Sequence, residues 1–141
     1  MNSKEEILHI LYTAAFILKK NFSHFVSQYN LSEMEAKFIF QIGSKNQYND
    51  NKTCDLIDFF KKHKSTITQK TKSLEEKGFI IIEQGKEDRR ERVIHLTKTG
   101  MSFYKKLTKI MEDYNNKIFQ KFTKQEEEQL RTLLKKLDIK N

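Results

Sequence analysis

Residues 64–100 read KSTITQKTKSLEEKGFIIIEQGKEDRRERVIHLTKTG, and this run decides the fold. Its first part places Ile67, Thr71 and Leu74 at i, i+4 and i+7, the inward stripe of a helix, while Ser65, Thr66, Thr68, Gln69, Lys72 and Ser73 project from the other side. Gly78 ends that helix, since it can take the left-handed conformation that closes a helix C-terminus. The β-branched run from Phe79 to Ile82 opens a strand, and Arg92 to Thr97 alternates apolar and polar as the returning strand. Between them lies a hairpin tip, Gln84 to Glu91, flexible at Gly85 and rich in arginine. A helix with a polar outer face followed by an arginine-tipped hairpin points to a reader of duplex DNA.

Working outward, the helix starts are announced by capping boxes, Ser3-x-x-Glu6, Ser32-x-x-Glu35 and Thr123-x-x-Glu126, with Thr53 as a further N-cap. Helices are expected at about 4–29, 33–45, 54–62, 65–77, 99–121 and 124–138, and strands at about 79–84 and 91–97. Residues 46–52, NQYNDNK, read as the polar loop between helices. The fold class is mainly α with a small β-hairpin, within a single domain spanning 1–141. Asp55 to Lys62 forms a positioning helix with Leu56, Ile57, Phe59 and Phe60 toward the core, leading through Lys61, Lys62 and His63 into the recognition helix.

The first helix carries Ile7, Leu11, Ala14, Leu18, Phe22, Phe25 and Tyr29 in steps of three and four. The last helices repeat the theme with Phe103, Leu107, Ile110, Tyr114 and Ile118, then Leu130, Leu133, Leu134 and Leu137. Such broad apolar faces at both chain ends exceed what a protomer of 141 residues easily covers. A homodimer joined through 1–30 and 99–141, with Leu11, Leu18, Phe22, Leu130 and Leu134 in the contact, accounts for them; a monomeric core is the alternative.

The formal net charge is +8 and the isoelectric point about 9.5, which favour a polyanionic partner. Over residues 53–98 eleven Lys/Arg face eight Asp/Glu, so placement matters more than the sum. No acid falls between Asp58 and Glu75, where Lys61, Lys62, Lys64, Lys70 and Lys72 do. With 33% charged residues and no run of the roughly 20 apolar residues a membrane helix needs, no membrane partner is expected. The stretch Ile7 to Leu18 is interrupted by His9, Tyr12 and Thr13 and does not read as a signal peptide, so a cytoplasmic location is expected.

The single cysteine, Cys54, excludes an intramolecular disulfide. It sits near a helix N-terminus, where the macrodipole favours thiolate and makes it a candidate redox residue, although an inert, partly buried thiol is the preferred reading. His9, His24, His63 and His95 lack metal-ligand spacing, so no metal site is expected. No nucleophile elbow, phosphate loop, dinucleotide fingerprint or H-E-x-x-H is present, and no catalytic residue or cofactor is assigned.

These residues resemble the MarR-type winged helix-turn-helix transcription regulators. The likeness rests on the recognition-helix pattern KSTITQKTKSLEEKGFI and on the wing signature D-x-R-x5-L-T-x2-G, met by Asp88, Arg90, Leu96, Thr97 and Gly100. It covers essentially the whole chain, with its specific part in 64–100, and the lysine-rich composition is similar to the branch containing the staphylococcal accessory regulators. The chain departs from the family pattern at Lys61, where a small residue is preferred, and at Lys62, Lys70 and Thr71, where apolar ones are. In relatives that sense redox state the reactive cysteine lies in the first helix, where this chain has none.

The resemblance implies a sequence-specific regulator of transcription that binds double-stranded DNA as a homodimer on a palindromic operator, with residues 53–98 as the winged helix-turn-helix module. Lys64, Ser65, Thr66, Thr68, Gln69 and Lys72 would then meet the major groove, and Arg89, Arg90 and Arg92 the flanking DNA, with Arg90 in the minor groove and Asp88 orienting it or a neighbouring arginine. A sequence-indifferent DNA-compacting protein or a non-catalytic protein-interaction winged helix are the alternatives. Whether a small-molecule effector enters a crevice beside the dimer helices is left open by the sequence.

Overall fold

The computed structural model describes residues 1–45 and 51–140. The elements follow in the order α1 (Ser3–Ser27), α2 (Glu33–Lys45), β1 (Asn51–Lys52), α3 (Thr53–Phe60), α4 (Lys64–Glu76), β2 (Ile80–Gln84), β3 (Arg92–Leu96), α5 (Lys98–Ile118) and α6 (Lys124–Lys135). All six predicted helices and both predicted strands are present. The predicted loop is different: residues 46–50 lie outside the described residues, but Asn51 and Lys52 form a strand that pairs antiparallel with β3, Asn51 opposite Ile94 and Lys52 opposite Val93. Two polar residues carry no periodicity, so only the β3 edge defines them as a strand.

Caps set the boundaries. Ser32 with Glu35 and Thr123 with Glu126 exchange reciprocal bonds of 3.0 to 3.1 Å, as predicted. At α1 the box lies one residue earlier than predicted, because Asn2 Oδ1 accepts the Glu5 N–H and Glu5 accepts the Asn2 N–H, both at 2.9 Å. Thr53 is the first helical residue of α3 and not its cap; Asp55 accepts the Lys52 N–H at 3.2 Å, and a lysine has no acceptor to return.

The chain divides within α5 into two units, Met1–Tyr104 and the part from Lys105 onward. The first is built around α2, whose Ala36, Phe38, Ile39 and Ile42 are fully buried and which packs on α1, α4 and β3. Leu56 of α3, Ile67 and Leu74 of α4, Ile80 of β2 and Ile94 of β3 complete this core, so the segment 53–98 is seated on a helix outside it. The sheet runs β1-β3-β2, with Ile80 opposite Leu96 and Gln84 opposite Arg92, which leaves β2 as an edge. Along α1 only Val26 is buried; Ile7, Leu8, Ile10, Phe16, Ile17 and Leu18 are all exposed.

In the second unit the latter part of α5 turns at Phe119–Lys121 into α6. The Phe119 and Phe122 rings meet edge to face at 5.3 Å across that turn. Leu133, Leu134 and Leu137 are exposed. Among the described residues no helix is long and apolar enough to cross a membrane.

Candidate nucleic-acid interface

The turn into α4 explains an irregularity of the sequence. Lys61 closes α3 in the left-handed conformation (φ 54°, ψ 38°), where a side chain is strained by about 1 kcal/mol relative to glycine. This is the position at which the family pattern prefers a small residue. His63 then enters α4 extended, with no side-chain bond to the helix, and the first turn of α4 holds no acid. Lys61, Lys62, His63 and Lys64 are all exposed there. Cations at an uncapped helix N-terminus oppose the macrodipole, an arrangement that an incoming anion relieves.

On α4 the predicted inward stripe holds: Ile67, Thr71 and Leu74 are buried. Thr71 stands where an apolar residue is usual, and its hydroxyl donates to the Ile67 carbonyl at 2.9 Å, so its burial leaves nothing unpaired. Ser65, Thr68, Gln69 and Lys72 are exposed, as predicted, and Thr66 is half-buried. Ser73 does not belong to that outer face. Its hydroxyl donates to Glu35 Oε2 at 3.0 Å, and Lys77 Nζ reaches the same carboxylate at 3.1 Å while also donating to the Asn30 carbonyl at 2.7 Å. Burial alone would raise the pKa of Glu35, but the Ser32 backbone, Lys77, Ser73 and the Ser32 hydroxyl together hold it below its ordinary value. The far end of α4 is thereby tied to α2. A serine at the edge of a polar face carries no sign of a partner 38 residues away, which is why it reads as outward in the sequence.

The base of the hairpin is held by the wing signature itself. Gly78 takes φ +84°, and the N–H groups of Gly78 and Phe79 return to the carbonyls of Glu75 and Leu74 at 3.0 Å, a complete Schellman closure. Thr97 Oγ1 donates to the Gly78 carbonyl at 2.6 Å and accepts from the Gly100 N–H at 3.0 Å, while the Thr97 N–H donates to the Phe79 carbonyl. A Cβ at Gly100 would fall on the Phe79 carbonyl oxygen.

At the tip one expectation changes. Gly85 is buried and does not take a positive φ; its N–H donates to the Glu91 carbonyl at 2.9 Å, and it is small because the Asp88 carbonyl closes over it. Asp88 does not face an arginine guanidinium: its Oδ1 accepts the backbone N–H of Arg90 at 2.9 Å, an Asx turn that sets the chain direction at Arg90. Arg92 turns back to the Arg89 carbonyl at 3.2 Å, which Gln84 also meets at 3.0 Å. Arg89 and Arg90 are exposed.

Between α4 and the hairpin lies a groove of about 630 Å³ that brings Lys64, Thr68 and Lys72 together with Arg90 and Arg92. Ser65, Thr66, Gln69 and Arg89 do not line it. Its lining also includes Lys52, Thr53 and Cys54, which the sequence reading did not place with the DNA contacts; pairing of β1 with β3 puts them there. Lys52 Nζ meets Glu91 at 3.0 Å, and that carboxylate holds the ammonium above its ordinary pKa. Cys54 is exposed, not partly buried, with Sγ at 4.0 Å from Asp55 Oδ1. Phe59, expected toward the core, is 57% exposed; Phe60, expected there too, packs on Phe38 at 4.7 Å.

The sequence model of the MarR family matches residues 39–92, from α2 to the start of β3. No curated protein matches the chain. Among solved structures, FabT from Streptococcus pneumoniae in complex with DNA is 20% identical, with a TM-score of 0.85 over 94% of this chain and 93% of that one. A MarR family transcriptional regulator from Listeria monocytogenes complexed with a 26mer DNA is 25% identical, with a TM-score of 0.75 over 92% and 84%. The S. aureus MepR–DNA complex is 17% identical, with a TM-score of 0.79 over 91% and 93%. A left-handed turn into α4 and a wing closed by Thr97 and Gly100 agree with these comparisons: residues 39–92 carry the sequence pattern of the MarR family, and the chain has the winged helix-turn-helix fold of these structures.

Proposed function

We propose that the protein is a transcriptional regulator that binds double-stranded DNA sequence-specifically, as a homodimer on a palindromic operator in the cytoplasm. The observation that carries this is the groove joining Lys64 and Lys72 of α4 to Arg90 and Arg92 of the hairpin, beside an exposed polar helix face. In this reading Gln69 makes a bidentate contact with adenine, Thr66 and Thr68 meet thymine methyls, Ser65 accepts or donates at a base edge, and Lys64 and Lys72 neutralise phosphates. Arg90 enters the minor groove, where narrow A·T-rich stretches concentrate negative potential, flanked by Arg89 and braced by Arg92. The uncapped, cation-rich start of α4 costs the free protein stability and suits a polyanion.

The apolar faces of α1 and of α6 support the dimer, each being exposed in its own unit. Leu18 and Leu134 lie on them openly, while Leu11, Phe22 and Leu130 are half-buried. FabT, MepR and the Listeria regulator were each captured on DNA, which favours the same partner here. No catalytic role is proposed. Fluorescence anisotropy with an A·T-rich palindromic duplex and a scrambled one, at several salt concentrations, tests the reading. Preference for one sequence that persists as salt rises is the expected result; equal binding to both marks a compacting protein, and binding to neither marks a protein-interaction module.

A further inference from the structure

Along α4, Lys64, Thr68, Lys72 and Glu75 form one stripe that faces the hairpin and lines the groove. Glu75 is out of place there by charge, because an acid in a groove that takes phosphate weakens binding. What it does hold is the hairpin: Glu75 Oε2 accepts the backbone N–H of Ile82 at 3.0 Å. Ile82 is the middle residue of β2, the edge strand, so this N–H has no strand partner on that side. The hairpin is thus attached to the preceding helix at two points. One is its base, where Thr97 meets Gly78 and Phe79. The other is Glu75, half a strand closer to the tip that carries Arg90. The pairing of β3 with β1 and the Lys52–Glu91 ion pair hold the hairpin on its other side; on the α4 side, a charge-assisted bond partway along β2 sets how the helix meets it.

We propose that Glu75 is a positioning residue that fixes the angle between α4 and the wing, and with it the distance along the DNA between the major-groove contacts and the minor-groove contact of Arg90. The inference rests on the DNA-binding reading above. It makes Glu75 a determinant of spacing: it touches no base, yet it decides how far the A·T-rich flank lies from the half-site. A glutamate that only contributed charge would change affinity for every duplex alike.

The test starts from a duplex that the full-length wild-type protein enriches out of a randomised pool, from which a series is built with the flanking A·T stretch shifted one base pair at a time. Wild type is expected to discriminate the best spacing from its neighbours by roughly tenfold, the effect of one unfavourable position. Glu75→Ala should flatten that preference. Glu75→Gln retains an acceptor for the Ile82 N–H and should keep most of the preference, while binding all members somewhat more tightly for loss of the charge. If Glu75→Ala does not fold, Glu75→Asp, a methylene too short to reach Ile82, must lose the preference with the charge intact. A Glu75→Ala protein that keeps the wild-type spacing profile and gains affinity uniformly overturns the role of Glu75. A wild type that enriches no duplex overturns the DNA-binding reading itself, and this inference with it.

Discussion

Gly100 has no room for one methyl group. Its would-be Cβ lands on the carbonyl of Phe79, which already accepts the Thr97 N–H and cannot turn away. Gly100→Ala should therefore destabilise the folded protein by about 1–3 kcal/mol, read as a lower urea midpoint with an unchanged slope. An unchanged midpoint would show that the base of the hairpin yields easily. Glu35 makes a second residue-scale prediction. Its carboxylate is nearly inaccessible and takes bonds from Ser32, Ser73 and Lys77, so Glu35→Gln should cost about 1–3 kcal/mol at pH 7. Because the folded-state pKa lies below the ordinary 4.5, this contribution is complete above about pH 4.5 and is lost as pH falls through the lower folded value. Wild type and Glu35→Gln should accordingly converge in stability under acid. A constant difference from pH 7 to pH 3 would mean that the ionised form of Glu35 gains nothing from its partners.

The wing acts as an element, held at its base by Thr97 and along its edge by Glu75, with an Asx turn aiming the backbone at Arg90. Among the described residues the Arg90 side chain makes no hydrogen bond, whereas Arg92 is engaged with tip carbonyls. The two arginines should therefore behave differently on DNA. Arg90→Ala should shorten the protected footprint at its outer ends and flatten the slope of log affinity against log salt by up to about one unit per lost contact. Arg92→Ala should loosen the tip and weaken binding without the same loss at the outer ends. Identical footprints from Arg89→Ala, Arg90→Ala and Arg92→Ala would reduce the hairpin to a diffuse electrostatic contact.

For the whole molecule the open question is what covers α1. Its helix buries one residue and leaves Ile7, Leu8, Ile10, Phe16 and Ile17 between 48% and 59% exposed, far more apolar surface than a free helix face keeps in water. Leu18 on α1 and Leu134 on α6 are better test positions than half-buried Leu11, since charge placed there spares the protomer's interior. The double variant Leu18→Asp, Leu134→Asp should sediment as a monomer at micromolar concentration and lose DNA binding in parallel. Wild type sedimenting as a monomer under the same conditions would remove the homodimer from the proposal.

Local chemistry settles what the sequence determines by itself. Helical periodicity exposes the inward stripe of α4; hydroxyl–carboxylate spacing marks the starts of α2 and α6; and the pairing of Gly78 with the β-branched run after it announces the wing. Each depends on residues within one or two turns of one another, so each is legible along the chain. The tertiary structure alone decided the rest. Asn51 and Lys52 become a strand because β3 offers an edge, which carries Lys52, Thr53 and Cys54 into the groove. Ser73 leaves the polar face because Glu35 waits on α2, and Phe59 stays exposed because the short α3 turns only the Phe60 ring to Phe38. Glu75 becomes part of the wing only once β2 folds back past it. In every such case the partner lies on another element, and neither composition nor spacing along the chain encodes a distance across it.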